Sequence, residues 1–153
     1  MPIFKPDEFL LNILPKKRVL GIDPGTKTLG IAVSNSDLTV ASPIFTIQRK
    51  KLKSDLNQLL EVLKKYDITG IIIGWPLNMD GSIGPRCDSV RDFVKSLLEV
   101  IDIPILLQDE RMSTMAIEKP MIKADLTRKK RNSRTDQLAA CWILQTALDG
   151  LPK

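Results

Sequence analysis

The stretch from Arg18 to Ser34, RVLGIDPGTKTLGIAVS, constrains the fold more than any other part of the chain. Two β-branched apolar runs flank a short segment of Pro, Gly, Thr and Lys, which is the pattern of a β-hairpin. The first run ends in Asp23. An acid at the end of a buried strand must be paired, hydrogen-bonded or bound to a cation. Asp23 is therefore a candidate site residue, although Asp-Pro and Asp-x-Gly sequences also occur in plain turns.

The hairpin sequence comes close to a phosphate-binding loop. Residues 21–28 nearly fit G-x-x-x-x-G-K-[ST], but Thr26 stands where the second Gly is required. That loop must also open a helix, whereas Leu29 to Val33 continue as an apolar β run. We therefore exclude a P-loop nucleotidase.

Charge and residue usage narrow the class of partner and of site. The 153 residues fit one domain with its own core. The net charge is +5 and the pI is near 9.3. The excess basic residues are clustered along the sequence, which favours a polyanionic partner such as nucleic acid. The chain has no His, and its two cysteines, Cys87 and Cys141, form no C-x-x-C motif. This excludes a zinc site of the usual kind and any base built on imidazole.

The first 17 residues are interpreted as an N-terminal extension, and residues 18–150 as one domain. The apolar run from Phe9 to Leu14 is too short to span a membrane. Its basic cluster follows the run instead of preceding it as in a secretory signal. We therefore expect a cytoplasmic protein without membrane contact, and a brief N-terminal helix that packs against the domain.

The spacing of apolar residues predicts the remaining elements. In chain order they are a strand at 39–47, an amphipathic helix at 52–63, a buried strand at 68–74, a loop at 75–85, a helix at 90–98, a buried strand at 103–107, a short helix at 113–121, an exposed basic loop at 123–134 and a largely buried helix at about 134–148.

This order predicts an α/β fold. Right-handed crossovers place the last two strands parallel to the first, giving a mixed five-stranded sheet, three antiparallel strands then two parallel, with helices on both faces. Sites in such sheets form beyond the carboxyl ends of the strands. Asp23 ends the first strand, and Glu110 directly follows the last one.

A third acid, Asp136, falls in the first turn of the predicted final helix, where the helix dipole favours a carboxylate. Plainer interpretations exist: Asp136 as a helix cap with Ser133, and Glu110 as a salt-bridge partner of Arg111 or Lys27. The convergence of three acids favours a cation between them, because like charges repel unless neutralised. Oxygen-only ligands select Mg²⁺ or Mn²⁺. Such a metal site on a basic protein predicts phosphodiester hydrolysis.

Four blocks in order resemble the YqgF/RuvX family of Holliday-junction-resolvase-like proteins, which are also described as candidate pre-16S rRNA nucleases. The blocks are LGIDPGTKTLGIAVS at 20–34, GWPLNMDGSIGP at 74–85, DERMST at 109–114 and DQLAA at 136–140. The resemblance implies a ribonuclease-H-like fold, a cytoplasmic location and a role in maturing the 5′ end of 16S rRNA in ribosome biogenesis. Position by position, Asp23, Glu110 and Asp136 match the acidic triad. Asn35 departs from the family pattern, which often has an acid there, so an accessory acid is in doubt.

A second set of residues is expected to contact nucleic acid. A loop near the substrate matches the family's signature at Asn78, Gly81 and Arg86. The basic run before Asp136 is placed to hold phosphates, which is a sequence-independent and salt-sensitive contribution, although a merely solvated loop is the plainer interpretation. The candidate nucleic-acid-binding residues are Lys27, Asn78, Arg86, Arg111, Arg128, Lys129, Lys130 and Arg131.

The expected partner is nucleic acid, with pre-rRNA preferred and structured DNA as the alternative. The chain is expected to act as a monomer or homodimer. Two other functions stay open: a resolvase of Holliday junctions, and a non-catalytic RNA-binding or transcription-associated module of the same fold. An ATPase of the actin, sugar-kinase and Hsp70 type also has a G-I-D-x-G-T hairpin, but it uses two such domains and this chain has room for one.

Overall fold

The structure, a computed structural model, describes residues 3–4, 6–14, 16–25, 27–75, 84–109 and 128–151. Its elements, in chain order, are β1 (Ile3–Phe4), α1 (Pro6–Asn12), β2 (Arg18–Pro24), β3 (Thr28–Ser34), β4 (Ala41–Gln48), α2 (Leu52–Lys65), β5 (Ile68–Trp75), α3 (Pro85–Leu98), β6 (Ile105–Asp109) and α4 (Arg128–Gly150). In this described part, no helix is long and apolar enough to cross a membrane.

All the strands form one sheet in the order β1-β6-β5-β2-β3-β4. The strands β2, β3 and β4 make an antiparallel meander, while β5 pairs parallel with β2 and β6 pairs parallel with β5. The predicted mixed five-stranded sheet is confirmed. A two-residue strand that the sequence did not reveal, β1, extends it beside β6, with Ile3 opposite Ile105.

Each face of the sheet is covered by helices, as predicted, because successive strand residues point to opposite faces. Along β2, Leu20 and Ile22 belong to the core cluster with α2 and α3. Val19 belongs to the cluster on the other face, which includes Phe9 of α1 and Leu144 of α4. The central strand therefore has a buried core on both sides.

Two glycines let helices lie close to the sheet on the α1 and α4 face. A Cβ added at Gly21 would lie 2.7 Å from the Cβ of Leu144 and 3.2 Å from the carbonyl oxygen of Ala140. A Cβ at Gly70 would lie 2.6 Å from the Cζ of Phe9. All three distances are shorter than ordinary contacts. A side chain at Gly21 would push α4 off the sheet, because the atoms it meets move only with the helix backbone, and a side chain at Gly70 would displace the buried Phe9 ring.

The N-terminal residues are bound to the sheet by specific contacts. The predicted N-terminal helix is present as α1, and Phe9 on it is fully buried. The backbone N–H of Leu14 donates to the Oγ1 of Thr69 at 2.7 Å. The ammonium of Lys17 lies 2.6 Å from a carboxylate oxygen of Asp67. Residues before Arg18 therefore cover part of the face of β5.

The final helix differs from the prediction in two ways. It begins at Arg128, so the part of the predicted basic loop from 128 to 134 is helical, and 123–127 lie outside the described residues. Lys and Arg are good helix formers, and residues 128–149 contain no Gly or Pro that would interrupt a helix. The helix is also not buried all round, because Trp142 is 49% exposed. Its buried stripe includes Ala140, Ile143 and Leu144.

The early start of α4 changes the interpretation of Asp136. This residue stands more than two turns inside the helix, not in the first turn, so both the dipole argument and the Ser133 capping box are wrong. Helix α3 likewise begins at Pro85, which puts Arg86 in its first turn instead of in a loop. The predicted helix at 113–121 and loop residues 76–83 lie outside the described residues.

Candidate active site at the carboxyl end of the sheet

Asp23 lies at the carboxyl end of the central strand, on the face that α4 covers. It shares that face with Gly21 and Val19, since alternate residues of β2 point the same way. Its neighbours Ile22 and Pro24 are buried, whereas Asp23 itself is only partly buried. Its carboxylate therefore stands between the apolar core and solvent.

The strands on either side of Asp23 place glycines beside it. Gly30 of β3 is its direct partner across the antiparallel pair. On the other side, Ile22 pairs with Ile73, and the next residue of β5 is Gly74. The residues directly beside Asp23 on the two neighbouring strands therefore present backbone and no side chain of their own.

The turn after Asp23 is closed by backbone hydrogen bonds. The Gly25 N–H donates to the carbonyl oxygen of Thr28 at 2.9 Å. The guanidinium of Arg49 donates from Nη1 to the carbonyl oxygen of Gly25 at 2.7 Å, and the Arg49 N–H donates to the carbonyl of Lys27 at 2.8 Å. The side chain of Lys27 is exposed beyond the strand end.

Hydrogen bonds at the start of β4 define the direction of α4. The side chain of Gln145 accepts from the N–H of Ala41 at 2.9 Å and donates to the carbonyl oxygen of Thr39 at 2.9 Å. One turn earlier in the helix, the Sγ of Cys141 donates to the carbonyl oxygen of Ala41 at 3.3 Å. Thr39 contacts Gln145, whereas Ala41, two residues later in the chain, also contacts Cys141, which is nearer the N-terminus of the helix. Because β4 and β2 run the same way, α4 runs against β2, and its N-terminal half lies toward the end that carries Asp23.

The structure places some of the predicted site residues and leaves others outside its described part. Asp23 and Lys27 lie at the end of β2 and in the turn after it. The backbone of Asp136 lies in α4, one turn before Ala140. Arg86 lies in the first turn of α3, and the four basic residues 128–131 form the first turn of α4. Asn78, Glu110 and Arg111 lie outside the described residues.

The described side chains do not by themselves assemble a metal site. Among them there is no group of three or more His, Cys, Asp or Glu spaced to hold an ion. Asp23 is the one predicted ligand whose side chain is described, since the side chains of Glu110 and Asp136 are not. The triad therefore stays a prediction.

Two residues next to the site were missed by the sequence reasoning. Asp55 of α2 is only 2% exposed, and its Oδ2 lies 3.9 Å from the Nε of Arg49. The helix pattern contained a signal for it. Asp55 falls among Leu52, Leu56 and Leu59, on the apolar face of an otherwise well-formed amphipathic helix. An acid on such a face requires a buried partner.

The sheet order and the helices on both faces define an α/β protein with a ribonuclease-H-like fold. A solved structure with this fold, Thermus thermophilus RuvC in complex with a Holliday junction substrate, superposes with a TM-score of 0.55 at 16% identity, over 86% of this chain and 93% of that chain. The predicted fold class is thus confirmed.

The chain belongs to the RuvX family, described as Holliday junction resolvase, which matches residues 17–150. A relative from Paramagnetospirillum magneticum is 44% identical over 149 residues, 97% of this chain and 96% of the relative. One from a Ruegeria species is 47% identical over 143 residues, 94% of this chain and 91% of the relative. Both carry the name "Putative pre-16S rRNA nuclease". The family resemblance predicted from four sequence blocks is confirmed.

Proposed function

We propose that this protein is a metal-dependent nuclease that processes the 5′ end of pre-16S rRNA. The observation that carries the proposal is Asp23, a partly exposed acid at the carboxyl end of the central strand, with glycines beside it on both neighbouring strands. The chain belongs to a family of resolvases, which hydrolyse phosphodiester bonds. The names of the full-length relatives support rRNA as the substrate.

The proposed ligands are Asp23, Glu110 and Asp136. Glu110 directly follows Asp109, the last residue of β6, in the sequence. The backbone of Asp136 lies in α4 one turn before Ala140. Ala140 is the residue whose carbonyl oxygen approaches β2 at Gly21. These positions support a meeting of the three acids at the carboxyl end of β2.

The chemistry of this donor set fits a hard cation. All three groups offer carboxylate oxygens, and the chain has no His, so Mg²⁺ or Mn²⁺ suits the site. When bound, such a cation activates water at neutral pH and stabilises charge on the phosphate oxygens. The acids hold and orient it, and the glycines beside Asp23 let a phosphate group come close to the sheet.

Basic residues are proposed to hold the nucleic acid around the site. Lys27 is exposed in the turn after Asp23. Arg128, Lys129, Lys130 and Arg131 occupy the first turn of α4, where the helix dipole adds to their attraction for phosphate. Asn78, Arg86 and Arg111 complete the proposed contact set. All three acids are in one chain, so the proposed metal site needs no second subunit. A role in rRNA maturation implies a cytoplasmic location.

A resolvase of four-way DNA junctions is the second candidate function. The description of the family and the fold shared with RuvC favour it. A non-catalytic RNA-binding module is the third, and it needs none of the three acids. These candidates differ in substrate and in turnover, so one assay separates them.

The test is single-turnover cleavage of three substrates: an RNA spanning the 5′ end of pre-16S rRNA, an unstructured RNA and a four-way DNA junction. Each is incubated with Mg²⁺, Mn²⁺ or chelator. We expect metal-dependent cutting of the first, and Asp23→Asn, Glu110→Gln and Asp136→Asn should each slow it by at least about 10²-fold, the loss typical of removing one preorganised electrostatic group. Asp37→Asn is the matched control, because Asp37 is exposed at the other end of the hairpin.

Each outcome decides between the candidates. Cutting confined to the DNA junction supports the resolvase, and RNA binding without cutting supports the non-catalytic module. If the three acid variants fold and cut as well as the wild type, the metal mechanism is wrong.

The basic residues of α4 have a separate test. Reversing Lys129 and Lys130 to Glu should make the negative slope of log binding constant against log salt shallower by about 1.4–1.8, since each lost phosphate contact removes about 0.7–0.9 from its magnitude. An unchanged slope would remove these two residues from the contact set.

A further inference from the structure

We infer that Arg49 and Asp55 are a positioning pair that fixes the turn after Asp23 and thereby orients Asp23 and Lys27. The inference rests on the proposed function, because it gives the pair a role toward the proposed metal ligand. Neither residue is among the proposed metal ligands, and we assign both a role that acts through the turn.

Arg49 holds the turn at two points. Its Nη1 donates to the carbonyl oxygen of Gly25 at 2.7 Å, and its backbone N–H donates to the carbonyl oxygen of Lys27 at 2.8 Å. These two carbonyls lie on opposite sides of residue 26. The turn is therefore attached on both of its arms to the single residue that follows β4.

Arg49 is itself anchored in the core. Its Nε lies 3.9 Å from the Oδ2 of Asp55, and its Cζ lies 5.5 Å from the centre of the Phe93 ring on α3. The other carboxylate oxygen of Asp55 accepts the N–H of Lys50 at 3.2 Å. The guanidinium thus joins the turn to α2 and α3, and its planar fork suits such a several-sided contact.

The buried polar side chains that the structure describes are Ser34, Asp55 and Thr69. Of these, Asp55 is the one with an ionisable carboxyl group. A buried carboxylate is unfavourable unless it is paired and hydrogen-bonded. The Asp55 carboxylate attracts the Arg49 guanidinium at ion-pair distance and so favours the orientation in which the guanidinium donates to the Gly25 carbonyl. The pair is built to hold one backbone oxygen in place.

The position of Gly25 matters because Asp23 is two residues before it. A metal ligand must keep its carboxylate in a narrow geometry, and the groups that orient such ligands are worth about 10–100-fold in metal affinity or activity. Release of the turn would loosen Asp23 from one side and Lys27 from the other. A salt bridge that only stabilised the fold would change stability without changing the metal site.

The experiment compares Arg49→Met, Arg49→Lys and Asp55→Asn with the wild-type protein. The matched control is Arg18→Met: Arg18 lies at the opposite end of β2, and its guanidinium carbon also stands over an aromatic ring, 6.0 Å from the centre of Tyr66. Three quantities are measured on the full chain: hydrogen exchange of the Gly25 and Arg49 amides, Mn²⁺ affinity without substrate by calorimetry, and stability in urea.

For Arg49→Met we expect faster exchange of both amides and Mn²⁺ affinity weakened about tenfold, equal to about 1.4 kcal/mol. Arg49→Lys should recover part of the affinity, because a Lys retains one donor for Gly25 but cannot form the fork. Asp55→Asn should act in the same direction with a smaller loss, since Asn still accepts from Lys50. Arg18→Met should leave exchange and Mn²⁺ affinity unchanged.

The inference is overturned if Arg49→Met loses stability while its exchange and Mn²⁺ affinity equal those of Arg18→Met. Should Arg49→Met not fold, Arg49→Lys and Asp55→Asn carry the same comparison, and wild-type exchange and affinity in both would overturn the inference equally. A wild-type protein that binds no Mn²⁺ and cuts no substrate defeats the proposed function instead. Hydrogen exchange then still decides whether the pair fixes the turn.

Discussion

Gly21→Ala tests how closely α4 lies against the central strand. A single methyl group is added at a position where the sheet and the helix are in direct contact. The new Cβ would lie 2.7 Å from the Cβ of Leu144, 3.3 Å from its Cδ2 and 3.2 Å from the carbonyl oxygen of Ala140. The Cβ of Leu144 and the carbonyl oxygen of Ala140 move only with the helix backbone, so no rotamer change can relieve the clash.

The size of the effect follows from these distances. Ordinary carbon contacts are about 3.5–4.0 Å, so α4 must move away from β2 by about 1 Å. Overpacking of this kind costs about 1–3 kcal/mol, and the lower entropy of the unfolded Ala chain offsets about 0.4–1 kcal/mol. The midpoints of these two ranges give a net destabilisation of about 1.3 kcal/mol, or roughly 3–5 °C in Tm for a chain of this size.

Equilibrium unfolding in urea and single-turnover cleavage are the two assays. Cleavage should fall further than the stability loss explains, because a displacement of about 1 Å between Asp23 and α4 can cost about 10²-fold in rate. Gly150→Ala is the matched control. A Cβ there meets nothing within 4 Å, and Gly150 is the last helical residue, so this variant should be neutral or slightly stabilised.

The reasoning fails if Gly21→Ala is as stable as Gly150→Ala. A destabilised variant that still cuts at the wild-type rate would keep the packing argument, but it would separate the position of α4 from catalysis.

Three further predictions concern contacts away from the proposed metal. Gln145→Ala removes the side-chain acceptor of the Ala41 N–H and should destabilise the protein by about 1–2 kcal/mol in urea, whereas no change would mean that water replaces the contact. Thr69→Val removes the acceptor of the Leu14 N–H and should cost about 1 kcal/mol and loosen α1 by hydrogen exchange; unaltered exchange in α1 would contradict this. Burial raises the pKa of the Cys141 thiol above its ordinary value, so the unfolded thiol ionises first and stability falls as pH rises past the unfolded pKa toward the folded one. Relative to the wild type, Cys141→Ser should gain stability above about pH 9, and parallel pH curves in urea would refute this.

The sheet and its order could be predicted because the strands carry local signals. Residues 18–34 have a hairpin pattern, and Ile71, Ile72 and Ile73 form a continuous apolar run of the kind found in a strand buried on both faces. The strand β1 has no such signal. Its two residues are paired only because β6 offers an edge, and that is a tertiary effect.

The site could be predicted in part, for a physical reason. The position of Asp23 at the end of a buried strand is readable from residues 18–23 alone. The positioning pair of Arg49 and Asp55 could not be predicted from the sequence. The residues it joins come from four separate segments that only the fold brings together: Gly25, Arg49, Asp55 and Phe93. The start of α4 was missed because a run of like charges was taken as a solvated loop, although Lys and Arg favour helix.

The pairing of β1 with β6 has a consequence for the order of synthesis. Ile3 is synthesised about a hundred residues before its partner Ile105, an interval of about 5–20 s at about 5–20 residues per second. During that interval Phe9, fully buried in the finished protein, has no strand β6 beside its segment. Residues 3–9 thus wait for a partner strand that is made much later, and until then their apolar side chains stay exposed to other contacts.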